Sequence, residues 1–371
     1  MRANNVLGII FSNMHDEELH ELTTLRTMGS VPFGGRYRMI DFTLSNMVNS
    51  GINKVGVVTK SNYQSLMDHL GSGKSWDLSR KRNGLYILPP FGRGNAIYSS
   101  RIEALNGISS FLKNSNEDYV MMTDCDVALN FDMQEMVERH IRSGVDITIG
   151  YKIAPLPQNR KDTMVLHFGA DERVASIDVD PDLEGDCCFS LNIYVMRRDL
   201  LEHLVAEAVS HSNHSFVRDI IQAHVGINTM MGYQISEYAG IVDSLASYFK
   251  VSMDLLNEPV RNDLFNRNRP VYTKVRDNMP AVYGLGSEVK NCFVADGCVI
   301  EGEVENSILF RGVRIGRGCK VKNCILIQGT EVGEKSTLSY VITDKNVRIK
   351  PERTLIGFET YPVFIGKNCV V

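Results

Sequence analysis

Apolar residues follow two different rhythms along this chain, and the change between them divides it. In the first part, short unbroken apolar runs alternate with segments of helical period. Val6–Phe11 (VLGIIF) and Lys54–Thr59 (KVGVVT) are β-branched runs bounded by polar residues, the pattern of strands buried on both faces of a sheet. Between them Phe42, Leu44, Met47, Val48 and Ile52 recur near a 3.6-residue step and predict a helix, which Gly51 ends. Ser61–Leu70 predicts the next helix. Asp118–Met133 predicts a strand closing on acidic residues, MVERHIRSG a helix capped by Gly144, and VDITIGYKI a further strand. This alternation predicts an α/β domain over residues 1–265 with a mostly parallel, Rossmann-like sheet.

From residue 289 the rhythm shortens. Val294 and Ile300, then Leu309, Ile315, Val321 and Ile327, then Val332 and Leu338 advance in steps of six, with glycines and small residues between them. A six-residue step is the repeat of a parallel β-helix, in which each coil buries its apolar row only by stacking on the next. The expected organisation is therefore 1–265, a linker over 266–288, and a β-helix over 289–371. Open end coils predict packing against the first domain or another subunit.

Composition adds mainly exclusions. With 371 residues and a net charge of −4, the chain has no basic excess to draw it to nucleic acid or to a membrane surface. No apolar run approaches the roughly 18–20 residues that span a bilayer. The apolar patch at Val6–Phe11 is too short for a secretory segment, so a cytoplasmic location is expected. The eight cysteines form no C-x-x-C pair, which signals neither zinc nor thiol–disulfide chemistry. His211 and His214 lack a third ligand partner.

Three stretches carry possible chemistry. The loop after the first strand is where an α/β domain of this kind cradles phosphate, through glycine N–H groups and a helix N-terminus. Here it has no glycine before Gly29 and carries Asp16, Glu17, Glu18 and Glu21, which would repel a triphosphate. Gly34 and Gly35 form a turn that leads into Arg36 and Arg38, a basic pair suited to an anion. Asp124 and Asp126, two apart at the end of a strand, suit a Mg²⁺ ion held against phosphates; a polar turn with two carboxylates reads equally well. Lys74, Arg80, Lys81 and Arg82 read better as a solvated face than as a ligand site.

The run VPFGGRYRMIDFTLSN resembles the VPFGGKYRIIDFPLSN signature of the glucose-1-phosphate adenylyltransferases. The resemblance extends over nearly the whole chain and implies a nucleotidyltransferase domain followed by a left-handed β-helix. It also implies chemistry: adenylyl transfer from ATP to glucose 1-phosphate, assisted by Mg²⁺. On the family's pattern Asp126 falls at a metal-binding aspartate, with Asp124 beside it. Arg26, Ser190 and Gly94 match substrate-side positions, Gly94 in a loop that resembles YRGTADA.

The departures concentrate where the chemistry should be. Ser12 and Asn13 stand at two glycines of the phosphate loop. Met28 stands at a phosphate-binding lysine, Asp180 at the lysine that grips the sugar phosphate, and Ile241 at the second metal-binding aspartate, with Asp243 two positions on. Phe91 or its neighbour replaces a base-reading glutamine, and Asn192 a glycine. A possible Mg²⁺ site is thus expected to be incomplete, with Asp124 and Asp126 vestigial.

This pattern resembles the GlgD-type regulatory subunit of bacterial glycogen biosynthesis, which implies a heterotetramer with a catalytic subunit. It implies a second site as well. Gly34, Gly35, Arg36 and Arg38 lie where the family's anionic effectors, sugar phosphates among them, bind between the domains; simple pairing of both arginines with nearby carboxylates such as Asp41 is the alternative. An active nucleotidyltransferase using Asp124, Asp126 and Asp243 is the second functional reading. A hexapeptide acyltransferase, whose active site needs a histidine between coils, is disfavoured because no histidine follows His224.

Overall fold

The computed structural model describes residues 5–80, 83–90, 98–169 and 171–371. Phe91 and Gly94 lie outside the described residues. The first strand, β1 (Val6–Phe11), is buried along its whole length. Leu7, Ile9 and Phe11 join the core on one face of the sheet, while Val6 and Ile10 join the core on the other. An unbroken apolar run is what two covered faces require.

Around β1 the sheet is built from β2 (Lys54–Val58), β3 (Gly84–Leu88), β4 (Tyr119–Asp124), β6 (Ile147–Pro155), β7 (Met164–Phe168), β8 (Val174–Val179), β9 (Asp186–Arg197) and β10 (Met230–Gln234); β5 (Val127–Leu129) lies outside it. The order is β8-β7-β9-β4-β1-β2-β3, with β6 against β9 and β10 against β6. β1 runs parallel to β2 and β4, and β9 joins β4 antiparallel. The sheet is therefore parallel at its centre and mixed beyond β4. β5 pairs instead with β11 (Ala239–Ile241).

Helix α1 (Met39–Asn49) begins three residues before the first position of its predicted periodic stripe. The Asp41 carboxylate accepts the backbone N–H of Arg38 at 3.0 Å, which satisfies an orphan donor at the helix start. Gly51, at φ 80°, follows its end. The remaining helices used below are α2 (Gln64–Leu70), α3 (Arg101–Gly107), α4 (Met133–Ser143), α5 (Arg198–Ser210), α6 (Leu245–Asp254) and α7 (Glu258–Leu264). None of the helices among the described residues is long and apolar enough to cross a membrane.

The second domain is a left-handed β-helix whose three faces are five-stranded parallel sheets. Ile300, Ile315, Val332 and Ile349 pair coil upon coil and are buried, so the six-residue stripe becomes a continuous apolar column. One corner repeats a left-handed residue at Asn291, Asn306 and Asn323, and asparagine tolerates that conformation better than other side chains bearing a Cβ. The first strand of the stack, Val282–Tyr283, pairs with Val299–Ile300 and so lies within the stretch expected as a linker.

The flank of the β-helix packs on the α/β domain. Phe33, Phe42 and Tyr248 share one core with Ile308, Phe310, Ile325 and Ile342. The Tyr248 hydroxyl donates to the Pro32 carbonyl at 2.7 Å within it. Among the described residues nothing covers the ends of the stack, where Leu285, Met279, Tyr283, Phe358 and Tyr361 are exposed.

Candidate functional site

The cleft at the C-terminal end of β1 and β4 is where a sheet of this type binds its ligand. A cavity of about 400 Å³ opens there, lined among others by His15, Glu18, Arg101, Lys161 and Asn192. Asp124, the last residue of β4, and Asp126 just beyond it are both buried beneath this cavity. With His15 they form a compact cluster whose ligand atoms lie within 4.8 Å of one another.

Three cations belonging to the chain itself occupy this acidic pair. One nitrogen of Arg101, at the start of α3, donates to both oxygens of Asp124 at 2.9 and 2.7 Å. The Arg101 guanidinium is walled by the rings of Phe11, Phe216 and Tyr194 at 4.8, 5.5 and 5.9 Å. Arg160 places Nε 2.9 Å from Asp126 and donates to the Ser190 carbonyl at 3.2 Å. His15 Nε2 lies 2.9 Å from Asp124 and 3.6 Å from Asp126, and its other ring nitrogen meets Glu18 at 3.0 Å. Burial opposes a charge on His15, but Asp126, Asp124 and Glu18 outweigh it and push its pKa up to about 10. Burial also opposes ionisation of Asp124, yet Arg101 and His15 hold its carboxyl well below the usual range. Burial pushes the Asp126 carboxyl upward while Arg160 and His15 pull it back. The permanent charge of Arg160 makes the carboxylate its counter-ion.

Asn192 completes the cluster. β9 carries a bulge between Ser190 and Ile193, and Asn192 sits there at φ 58°, a conformation that explains why a glycine is the family's residue at this point. Its side chain donates to Asp124 at 3.0 Å. The Ser190 hydroxyl, expected on the substrate side, accepts the Asn192 N–H at 3.0 Å.

Mg²⁺ takes oxygen ligands in near-ideal octahedral geometry and sheds water reluctantly. Both Asp124 oxygens already accept hydrogen bonds, and two guanidinium groups within 3 Å would repel a dication. The residues present do not fit Mg²⁺. Asp243 does not complete them, since one of its oxygens accepts the Asn159 N–H at 3.1 Å and the other the Ser244 hydroxyl at 3.2 Å. Ile241 lies against Val127 in the β5–β11 pair.

The phosphate-facing positions are turned elsewhere too. Met28 is buried in the core shared with the β-helix. Its N–H donates to Asp16 at 2.7 Å, and burial raises Asp16 to about 6. Asp180, expected at the lysine that grips the sugar phosphate, accepts from Arg218 at 2.8 Å. Arg26, expected on the substrate side, instead crosses to the β-helix. Its Nη2 donates to both oxygens of Asp344 at 2.8 Å, and both side chains are buried.

A second site lies between the domains. Gly34 and Gly35, at φ 56° and 82°, make the expected turn, and a Cβ on Gly35 would come 3.8 Å from the Leu309 carbonyl of the β-helix. A narrow pocket of about 40 Å³ beside it gathers Arg36, Arg38, Arg276, Arg311 and Lys345, with His69 at its edge. Asp41 takes His69 at 2.5 Å and only the backbone of Arg38, so it does not neutralise the arginines. The Arg38 guanidinium reaches the Ser65 carbonyl at 2.5 Å, and Arg311 meets Asp296 at 3.1 Å. Among the described residues Arg36, Arg38, Arg276 and Lys345 have no ion-pair partner. Burial, with Arg38 and Arg26 nearby, lowers Lys345 to about 7.

Sequence reasoning reached Arg36, Arg38 and the two aspartates. It missed His15, Arg101, Arg160, Arg276, Arg311 and Lys345, each of which enters its site from a distant stretch of chain. The one available signal was the acidic loop Asp16–Glu21, whose charges call for local cations such as His15.

Residues 8–258 match the model of the nucleotidyl transferase family, and residues 281–361 the GlmU-like C-terminal hexapeptide family. The chain is 35% identical to the glycogen biosynthesis protein GlgD of Bacillus subtilis (strain 168), covering 100% of this chain and 98% of that protein. It is 37% identical to GlgD of Geobacillus stearothermophilus over 86% of this chain and 83% of that one. The glucose-1-phosphate adenylyltransferase of the same organism is 33% identical over 85% and 83%. With a nucleotidyltransferase sheet whose acidic pair is closed by its own arginines, a hexapeptide β-helix joined to it, and relatives that cover most or all of its length, the chain belongs to the glucose-1-phosphate adenylyltransferase and GlgD family.

Proposed function

We propose that this chain is a regulatory subunit of a bacterial glucose-1-phosphate adenylyltransferase in glycogen biosynthesis, with little or no catalysis of its own. It acts in a heterotetramer with a catalytic subunit. The observation that carries this reading is the fate of the phosphate-gripping positions. Met28 is packed in a core and Asp180 is committed to Arg218, while a cluster of cations faces the gap between the domains. Adenylyl transfer needs positive charge on the phosphates in the transition state. Here the lysines expected at two of those positions are absent, while the cations between the domains remain where they can meet an anion. Its ligand would be a sugar phosphate effector, bound by Arg36 and Arg38 beside the Gly34–Gly35 turn.

Mixing the chain with the catalytic subunit from the same cell tests the reading. The expected result is one hetero-oligomer by light scattering, with activity and effector response that differ from those of the catalytic subunit alone. Two separate species with unchanged kinetics would refute it.

The interdomain pocket makes a further prediction through Lys345. Its folded-state pKa is lowered from 10.5 to about 7, so above pH 7 it is largely neutral, and binding an anion there takes up a proton. His69 is also lowered, by burial, and stays neutral across this window. Sulfate keeps a constant charge over it. Its affinity, read by calorimetry, is expected to fall as pH rises from 7 to 9, by up to about tenfold per unit. Arg36→Ala should weaken it about tenfold at pH 7, the value of one charge-assisted hydrogen bond. A flat pH profile excludes Lys345 from the site.

A further inference from the structure

We infer that the Asp124–Asp126 pair no longer recruits a divalent cation and instead serves as a latch, in which Arg101 and Arg160 act as built-in counter-ions and fasten otherwise separate segments to the sheet. Two permanent guanidinium charges face two carboxylates, so the pair is neutralised before any ligand arrives. Each cation comes from a different segment. Arg101 opens α3, Arg160 lies in the loop between β6 and β7, and His15 lies in the loop after β1. All three side chains are nearly inaccessible, at 8%, 1% and 7% exposed. Arg160 also reaches the Ser190 carbonyl and Arg101 is held in an aromatic cage, so neither can swing away without losing further contacts. Together they hold the walls of the cleft to its floor.

A metal site and a latch respond oppositely when a carboxylate is removed. In a metal-free acidic cluster, neutralising one carboxylate relieves repulsion and stabilises the fold. In a latch it leaves a buried guanidinium unpaired, which is strongly destabilising, whereas removing both partners together is far less costly. Neither oxygen of Asp126 has an aligned hydrogen-bond donor among the described residues. Its contact with Arg160 is therefore ionic. This inference does not depend on the proposed regulatory role, since it concerns the cleft alone.

The test uses the full chain. Asp126→Asn is expected to lower the melting temperature by several degrees in metal-free buffer, and Asp126→Asn combined with Arg160→Gln to recover most of that loss. Mn²⁺ titration followed by electron paramagnetic resonance should show no ion held by the unmodified protein at millimolar metal. A rise or no change in melting temperature for Asp126→Asn overturns the latch. So does failure of the double variant to recover. One bound Mn²⁺ that is lost in Asp126→Asn also overturns it, and this arm decides alone if the single variant does not fold.

Discussion

The purified chain, supplied with ATP, glucose 1-phosphate and any concentration of Mg²⁺, is expected to make no measurable ADP-glucose. Removing one preorganised group that stabilises developing charge costs about 10²–10³ in kcat. Three such positions are lost here, at Met28, Asp180 and Ile241. Even the lower figure at each takes a typical turnover of about 10 s⁻¹ to roughly 10⁻⁵ s⁻¹. Groups that act as a unit are not additive, but losing one of them already removes most of the rate. Single reversions are not expected to rescue it. Met28 is only 1% exposed, so Met28→Lys would bury a charge in a packed core and destabilise the fold before any phosphate met it. A turnover within the usual range of about 1–10³ s⁻¹ would show that the cleft has found another arrangement of charge.

The fold was legible because its signals are local. Val6–Phe11 announces a buried strand by its unbroken apolar run, and Leu309, Ile315, Val321 and Ile327 announce a β-helix by their step of six. Helix α1 began earlier than its stripe because a cap, Asp41 on the Arg38 N–H, decides where a helix starts. The site was legible only in part. Asp124 and Asp126 stand out as two carboxylates at a strand end, but whether they face a metal or a guanidinium depends on Arg101 and Arg160. Arg160 belongs to a loop more than thirty residues downstream, and nothing in its own neighbourhood marks it. Arg36 and Arg38 could be read as an anion site, yet Arg311 and Lys345 come from the other domain and Arg276 from the segment that joins the two. Charges that meet only through tertiary structure leave no periodic trace in sequence.

Arg26→Ala is expected to cost about 3–5 kcal/mol of stability, because it leaves the Asp344 carboxylate buried without its counter-ion. The two residues are 318 apart in sequence and meet at the seam between the domains, with side chains only 3% and 5% exposed. Salt screens such a pair weakly, so the loss should persist at high ionic strength, unlike that from a surface bridge. Asp344→Ala should cost a similar amount by stranding Arg26. Replacing both together, as Arg26→Met with Asp344→Leu, should recover most of the loss, since two apolar groups leave no charge to compensate. Urea unfolding of the four proteins, followed by circular dichroism, measures the cycle. If the seam also carries the effector response, the double variant would fold yet answer an anion differently, because Arg26 contributes to the field around Lys345. A single-variant loss below about 0.5 kcal/mol, the scale of an ordinary surface substitution, would mean that the shared apolar core of Phe33, Phe42, Tyr248 and Phe310 holds the domains together unaided.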